Sequence, residues 1–207
     1  QNITFNAIRL LVPFKGRLFT APTGATKGNV NAAGVSLIYE SEDPAKGEGR
    51  CINAPGLGTV PDVVTVYEMA PHGDFLYAGT GGANGFQVWR SRCEGEPPYT
   101  WECILTNGAG RGVLNQGSVS MLSFKEALYV GTGIQNGGYD WRNDIGPAAC
   151  ELVRVWPNGE YHVIVGNERE NKKPLSGFYA GFNNFFAGYL WRMGIHDEWL
   201  YAGTMDW

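Results

Sequence analysis

Four stretches of the chain repeat one another, and a repeat of this length constrains the architecture more than any single residue does. They are GRLFTAPTG (16–24), DFLYAGTGG (74–82), EALYVGTGI (126–134) and EWLYAGTMD (198–206), each running through an apolar residue, an aromatic and small or apolar residues to a threonine. Leu18, Leu76, Leu128 and Leu200 mark equivalent points, 58, 52 and 72 positions apart. An alternating run precedes each anchor: 8–12, 63–69, 118–124 and 190–195. These runs end in turn sequences such as Phe14-Lys15-Gly16 and Pro71-His72-Gly73-Asp74, so each run and its anchor predict a strand, a tight turn and a second strand. Two more apolar runs come after each of the first three anchors. VSLIYES (from Val35), FQVWRSR (from Phe86) and ELVRVWP (from Glu151) come first, then RCINAP (from Arg50), WECILT (from Trp101) and YHVIVG (from Tyr161).

Four short strands per unit predict an all-β chain, and a four-stranded repeat of this size is the blade of a β-propeller. The reading is one propeller region over 1–207, with blades at about 6–55, 62–106 and 118–166 and an incomplete one at 189–207. Rings close with about four to eight blades, so the expectation is three blades and part of a fourth from a larger ring. Four short blades closed by strand exchange are the alternative. An incomplete blade leaves strand edges bare, which calls for further polypeptide, from the same protein or a partner. Phe19, Tyr77, Tyr129 and Tyr201 share one repeat position and read as packing between blades. Gly79, Gly131 and Gly203 read as points of close backbone approach.

Charge and composition remove several classes of function. A net charge of −4 gives no clustered basic surface for nucleic acid. The most aromatic stretch, 178–191, is broken by Gly181, Asn183, Asn184 and Gly188, and no window holds the roughly 18–20 apolar residues of a membrane span. A chain opening at Gln1 without Met reads as secreted or periplasmic after signal removal, or as trimmed; Asn2-Ile3-Thr4 fits a glycosylation acceptor. Cys93 and Cys103 flank a turn rich in Gly and Pro and are expected to form a disulfide. Cys51 and Cys150 lack metal-ligand spacing and read as buried thiols or a second bridge. No nucleophile elbow, phosphate loop or dinucleotide fingerprint is present. His72 and His196 precede the anchor strand in the turn and read as surface, while His162 lies in a fourth strand.

The longest loops are of two kinds that share one mouth of a propeller channel. Residues 23–34, 80–85 and 132–149 join second to third strands; 53–62, 106–117 and 166–188 join one blade to the next. Long loops on a rigid scaffold are where binding residues collect. Tyr139, Asp140, Trp141, Arg142, Asn143 and Asp144 are consecutive there: an aromatic plate for a sugar ring, with polar neighbours for hydroxyls or a carboxylate. Asp140 and Asp144 could instead brace turns, hold calcium with backbone oxygens, or serve with Arg142 as acid, base and anion holder of a carbohydrate hydrolase or lyase. Arg111, Asn115, Arg169, Asn183, Asp206 and Trp207 are further mouth residues. No other cofactor is called for.

GFQVWR, LYVGTGIQNGGYD, GPAACELVRV and GYLWRM resemble secreted bacterial propellers of unassigned function, and the turn at 91–101 resembles a degenerate Asp-box of sialidase-like propellers, with Glu94 where the box has Asp. The resemblance implies fold and compartment and no catalytic residues. The reading is therefore a ligand-binding module for a glycan or other small extracellular ligand, with a carbohydrate-active enzyme and a protein-interaction scaffold as alternatives.

Overall fold

Each repeated anchor forms the second strand of an antiparallel hairpin. A computed structural model describes residues 7–23, 36–58 and 65–206; Asn2 and Trp207, and parts of the loops at 23–34 and 53–62, lie outside them. The hairpins are β1 (Ala7–Phe14) with β2 (Arg17–Thr23), β5 (Thr65–His72) with β6 (Phe75–Gly81), β9 (Gly117–Phe124) with β10 (Ala127–Gly133), and β13 (Ala187–His196) with β14 (Trp199–Asp206). Each closes through a two-residue turn with a left-handed residue in it, at Lys15-Gly16, Gly73, Lys125 and Asp197-Glu198. Such turns match the right-handed twist of paired strands.

The first three hairpins each continue into two more antiparallel strands: β3 (Tyr39–Ser41) and β4 (Arg50–Cys51), β7 (Val88–Ser91) and β8 (Glu102–Leu105), β11 (Leu152–Val155) and β12 (Tyr161–Val165). The chain is thus all β, in three four-stranded meanders and a final hairpin. Register repeats with the sequence, because Leu18 faces Ser41, Leu76 faces Ser91 and Leu128 faces Val155. The second, third and last units are joined in one sheet by single bridges, Gly81 to Gly117 and Gly133 to Tyr189, while the first is a sheet of its own.

The core lies between units. Phe19, Ile38, Ile52, Val66 and Leu76 pack between the first and second units; Tyr77, Phe86, Val88, Leu128 and Val130 pack between the second and third. Phe19 and Tyr77 therefore fill the inter-unit role expected of the repeated aromatic. Tyr201 does not: it is 55% exposed, because among the described residues nothing lies beyond the last hairpin to cover it.

The expected disulfide is absent. All four cysteines are free. Register is the reason: Cys103 stands opposite Trp89 in the β7–β8 ladder, four residues from Cys93. Cys93 lies beyond the end of β7 with φ of 52°, and its Sγ turns back to the Ser91 carbonyl at 4.0 Å while that of Cys103 turns to Leu105 at 3.5 Å. A turn rich in Gly and Pro brings strands together, but only the ladder decides which side chains meet.

Candidate functional site

The third meander carries a buried carboxylate. Glu151 is wholly buried at the entry to β11, held there by a reciprocal pair: Thr132 N–H donates to its carbonyl at 3.0 Å and its own N–H donates to Thr132 Oγ1 at 2.8 Å. The second meander makes the same pair between Thr80 and Gln87. Where the second unit has a neutral amide, the third has a charge, and a buried charge needs partners. Arg169 Nη2 lies 2.6 Å from Glu151 Oε2, Asn115 Nδ2 donates to the same oxygen at 2.8 Å, Asn167 N–H donates to Oε1 at 2.7 Å, and Arg111 Nε stands at 3.4 Å.

The two arginines are fixed by the loops that deliver them. Arg111 comes after the left-handed pair Gly108-Ala109 and donates to the Ala149 carbonyl at 2.8 Å; Arg169 Nε donates to the Ala109 carbonyl at 3.0 Å. Burial holds the Arg111 guanidinium below the usual arginine range, opposed by the Glu151 carboxylate. Three residues expected at the mouth, Arg111, Asn115 and Arg169, thus meet around a fourth that the sequence pattern places only in a strand. The signal for Glu151 is its charge within AACELVRV, at the place where the preceding repeat has Gln87.

Above this cluster lies a cleft of about 510 Å3 lined by Arg111, Ala149, Asn167, Tyr179, Asn183 and Phe185 among others. Asn183 Oδ1 accepts the Tyr179 N–H at 2.9 Å, which sets the turn carrying both. Tyr179 and Phe185 are about half exposed. Aromatic faces beside amide groups over a fixed guanidinium suit a ring bearing hydroxyls. Asp206 accepts from Asn184 Nδ2 at 2.9 Å and stays outside this cleft.

The run at 139–144 is a separate feature. Asp140 is wholly buried and accepts from Gln116 Nε2 (2.8 Å), Asn143 Nδ2 (2.7 Å) and the N–H groups of Arg142 (3.1 Å) and Asn143 (3.4 Å). Burial pushes its carboxyl up, but these donors more than offset that and hold it below the usual aspartate value. Asp140 is a turn brace. Its oxygens face N–H donors, the reverse of what calcium requires, and Asp144 accepts the Tyr139 hydroxyl at 2.7 Å. The brace presents Trp141 at 63% exposure, with the Arg142 guanidinium 5.7 Å from its ring.

The histidines stand apart. His72 is half-buried against Ser123 at 2.7 Å rather than on the open surface, His162 accepts from Trp156 Nε1 at 3.1 Å, and exposed His196 lies 3.2 Å from Asp197. Among the described residues no cluster of three metal-ligating side chains occurs, and no helix is long and apolar enough to cross a membrane. No protein-family model, curated protein or solved structure matches the chain.

Proposed function

We propose that the meanders are blades of a β-propeller and that the chain is a binding module for a glycan or comparable polyhydroxy ligand seated in the cleft beside Tyr179 and Phe185. The observation that carries this reading is the cleft's construction: half-exposed aromatics and amides above a floor locked by Glu151 and two arginines. The propeller reading is supported by the shared register of the units and by a bulge at one position of every inner strand. The donor shell of Asp140 argues against acid–base cleavage there, since a carboxylate engaged on both oxygens cannot exchange a proton without releasing its turn.

A glycan array probed with the purified chain tests the proposal. Binding is expected, weakened about tenfold or more by Phe185→Ala or Tyr179→Ala, at the level of one stacking contact. Binding untouched by both variants, or no binding on the array, overturns it. The secreted or periplasmic placement is part of this proposal, and four free thiols weigh against it. Thiol titration of the unreduced, denatured protein is expected to count four; a count of two would restore the bridge.

A further inference from the structure

The first strands of the four hairpins share one irregularity, and its consequence is a second cavity. Register slips between Ile8 and Leu10 in β1, between Val66 and Glu68 in β5, at the matching step of β9, and between Leu190 and Arg192 in β13. The residues set free are Arg9, Tyr67, Val119 and Trp191. A bulge re-aims the side chain it carries, and all four line a single cavity of about 150 Å3, with Gln135, Tyr189 and Met205 also on its wall. Gly81 and Gly133 must be glycine for this to form, because a Cβ at either would lie 2.1 Å from the Tyr67 or the Tyr189 ring.

Arg9, Tyr67 and Tyr189 bring donors to this cavity. Arg9 spends only Nε, on the Tyr67 carbonyl at 2.8 Å, and its guanidinium stacks 4.8 Å from the Tyr67 ring; among the described residues Nη1 and Nη2 donate to nothing. The Tyr67 hydroxyl accepts from Gln135 Nε2 at 3.0 Å and the Tyr189 hydroxyl accepts from the Gly137 N–H at 3.0 Å. Each phenol therefore keeps its own proton to give. Burial pushes Tyr67 up to about 12, so that proton is present at neutral pH. Glu68, the next residue on β5, does not compete, being engaged by Arg192 at 2.9 Å and the Met69 N–H at 3.2 Å. The remaining surface is mostly aromatic and apolar: Tyr189 and Trp191 rings 5.5 Å apart and tilted by 41°, and Val119.

We infer that this cavity binds a flat monocarboxylate of about the size of benzoate, its carboxylate taken by Arg9 and the two tyrosine hydroxyls and its body by the aromatic wall. A guanidinium edge is matched to a carboxylate, and a cavity of about this volume holds a benzene-sized guest. The inference is independent of the cleft beside Phe185 and stands or falls apart from it.

Titration of the intact chain with benzoate, monitored by ligand-observed NMR and tryptophan fluorescence, tests it. Saturable binding is expected, with benzamide and acetate each weaker by about tenfold or more, since one lacks the charge and the other the ring. Arg9→Gln should lose about the same factor. Val119→Phe fills the cavity while leaving every donor in place, and aromatics already occupy its register position in β5 and β13, so it should fold and abolish binding. Tyr189→Phe is the reserve where Arg9→Gln melts early, with a loss of several-fold. Benzoate that fails to saturate, benzamide binding as well as benzoate, or a folded Val119→Phe chain of unchanged affinity overturns the assignment.

Discussion

The third hairpin and the last one share a motif in their second strands, LYVGT (128–132) and LYAGT (200–204), and the same register across from it, yet they live in different surroundings. In β9–β10, Leu128 is 1% exposed and Val130 is wholly buried, covered by β11 on one edge and by the second unit on one face. In β13–β14 the counterpart of Val130 is half-buried Ala202, and Trp199, Tyr201 and Ile195 stand more than half exposed. The repeat pattern fixes strand, turn and register locally. Burial comes from the strands that pair with a hairpin's edge and the unit that packs on its face, so a shared motif has a large energetic role in one unit and a small one in the other.

The largest test of the difference is the charge that ties the third unit to the loop leaving it. Glu151→Gln leaves Arg111 and Arg169 buried without their anion, and a loss of about 3–5 kcal/mol is expected by chemical denaturation. The second unit has glutamine at this position, its Oε1 accepting from Trp89 Nε1 at 2.9 Å. If the variant is neutral, the cluster does not secure the loop, and the floor of the proposed cleft is softer than its geometry indicates.

Leu128→Ala and Leu200→Ala bear on the hairpins directly. The first deletes a fully buried side chain and should cost about 2–5 kcal/mol; the second removes a partly covered one and should cost under about 1 kcal/mol. Equal losses would show that β14 is covered in solution, by further polypeptide or a second copy, and would remove the contrast.

Much of this division is legible in the sequence. The strands can be placed because alternation and turn residues are local properties, and Tyr77 can be read as packing because its neighbours recur. The bulges cannot: Arg9, Tyr67, Val119 and Trp191 have no residue type in common, only a slip of backbone register that emerges once partner strands are aligned. The disulfide expectation fails for the same reason, proximity in sequence standing in for register. Asp140 is legible as a brace, since aspartate before a turn accepts backbone N–H groups. That Arg111, Asn115 and Arg169 meet is not, because their meeting point, Glu151, lies in a strand.

Asp140 sharpens the contrast at acid pH. Its folded pKa lies below the unfolded value, so its contribution is present above the ordinary aspartate value of 3.8 and disappears as pH falls through the depressed one. Asp140→Ala should cost about 1–3 kcal/mol at neutral pH, the desolvation cost of stranded donors, and should flatten the melting temperature against pH below about 4. A variant that keeps the wild-type acid limb would place that limb on another carboxylate.

The smallest effect concerns the ion pair between the last hairpin and the second unit, Glu68 with Arg192. Burial raises the Glu68 carboxyl, and the Met69 N–H, Arg192 and Arg9 lower it less than burial lifts it. With a folded pKa above the unfolded one, the native state holds the extra proton, so stability falls as pH rises from the unfolded value through the folded one. Arg192 is 64% exposed and regains water when its partner goes. Glu68→Gln is therefore expected to lie within about 1 kcal/mol of wild type at neutral pH, on the stable side, with the difference shrinking on acidification. A series of urea melts from acid to neutral pH decides it. A loss well beyond about 1 kcal/mol would mean that this pair, rather than the apolar packing around Leu190, secures the last hairpin, and the two hairpins would then differ in the kind of force that holds them as well as in its size.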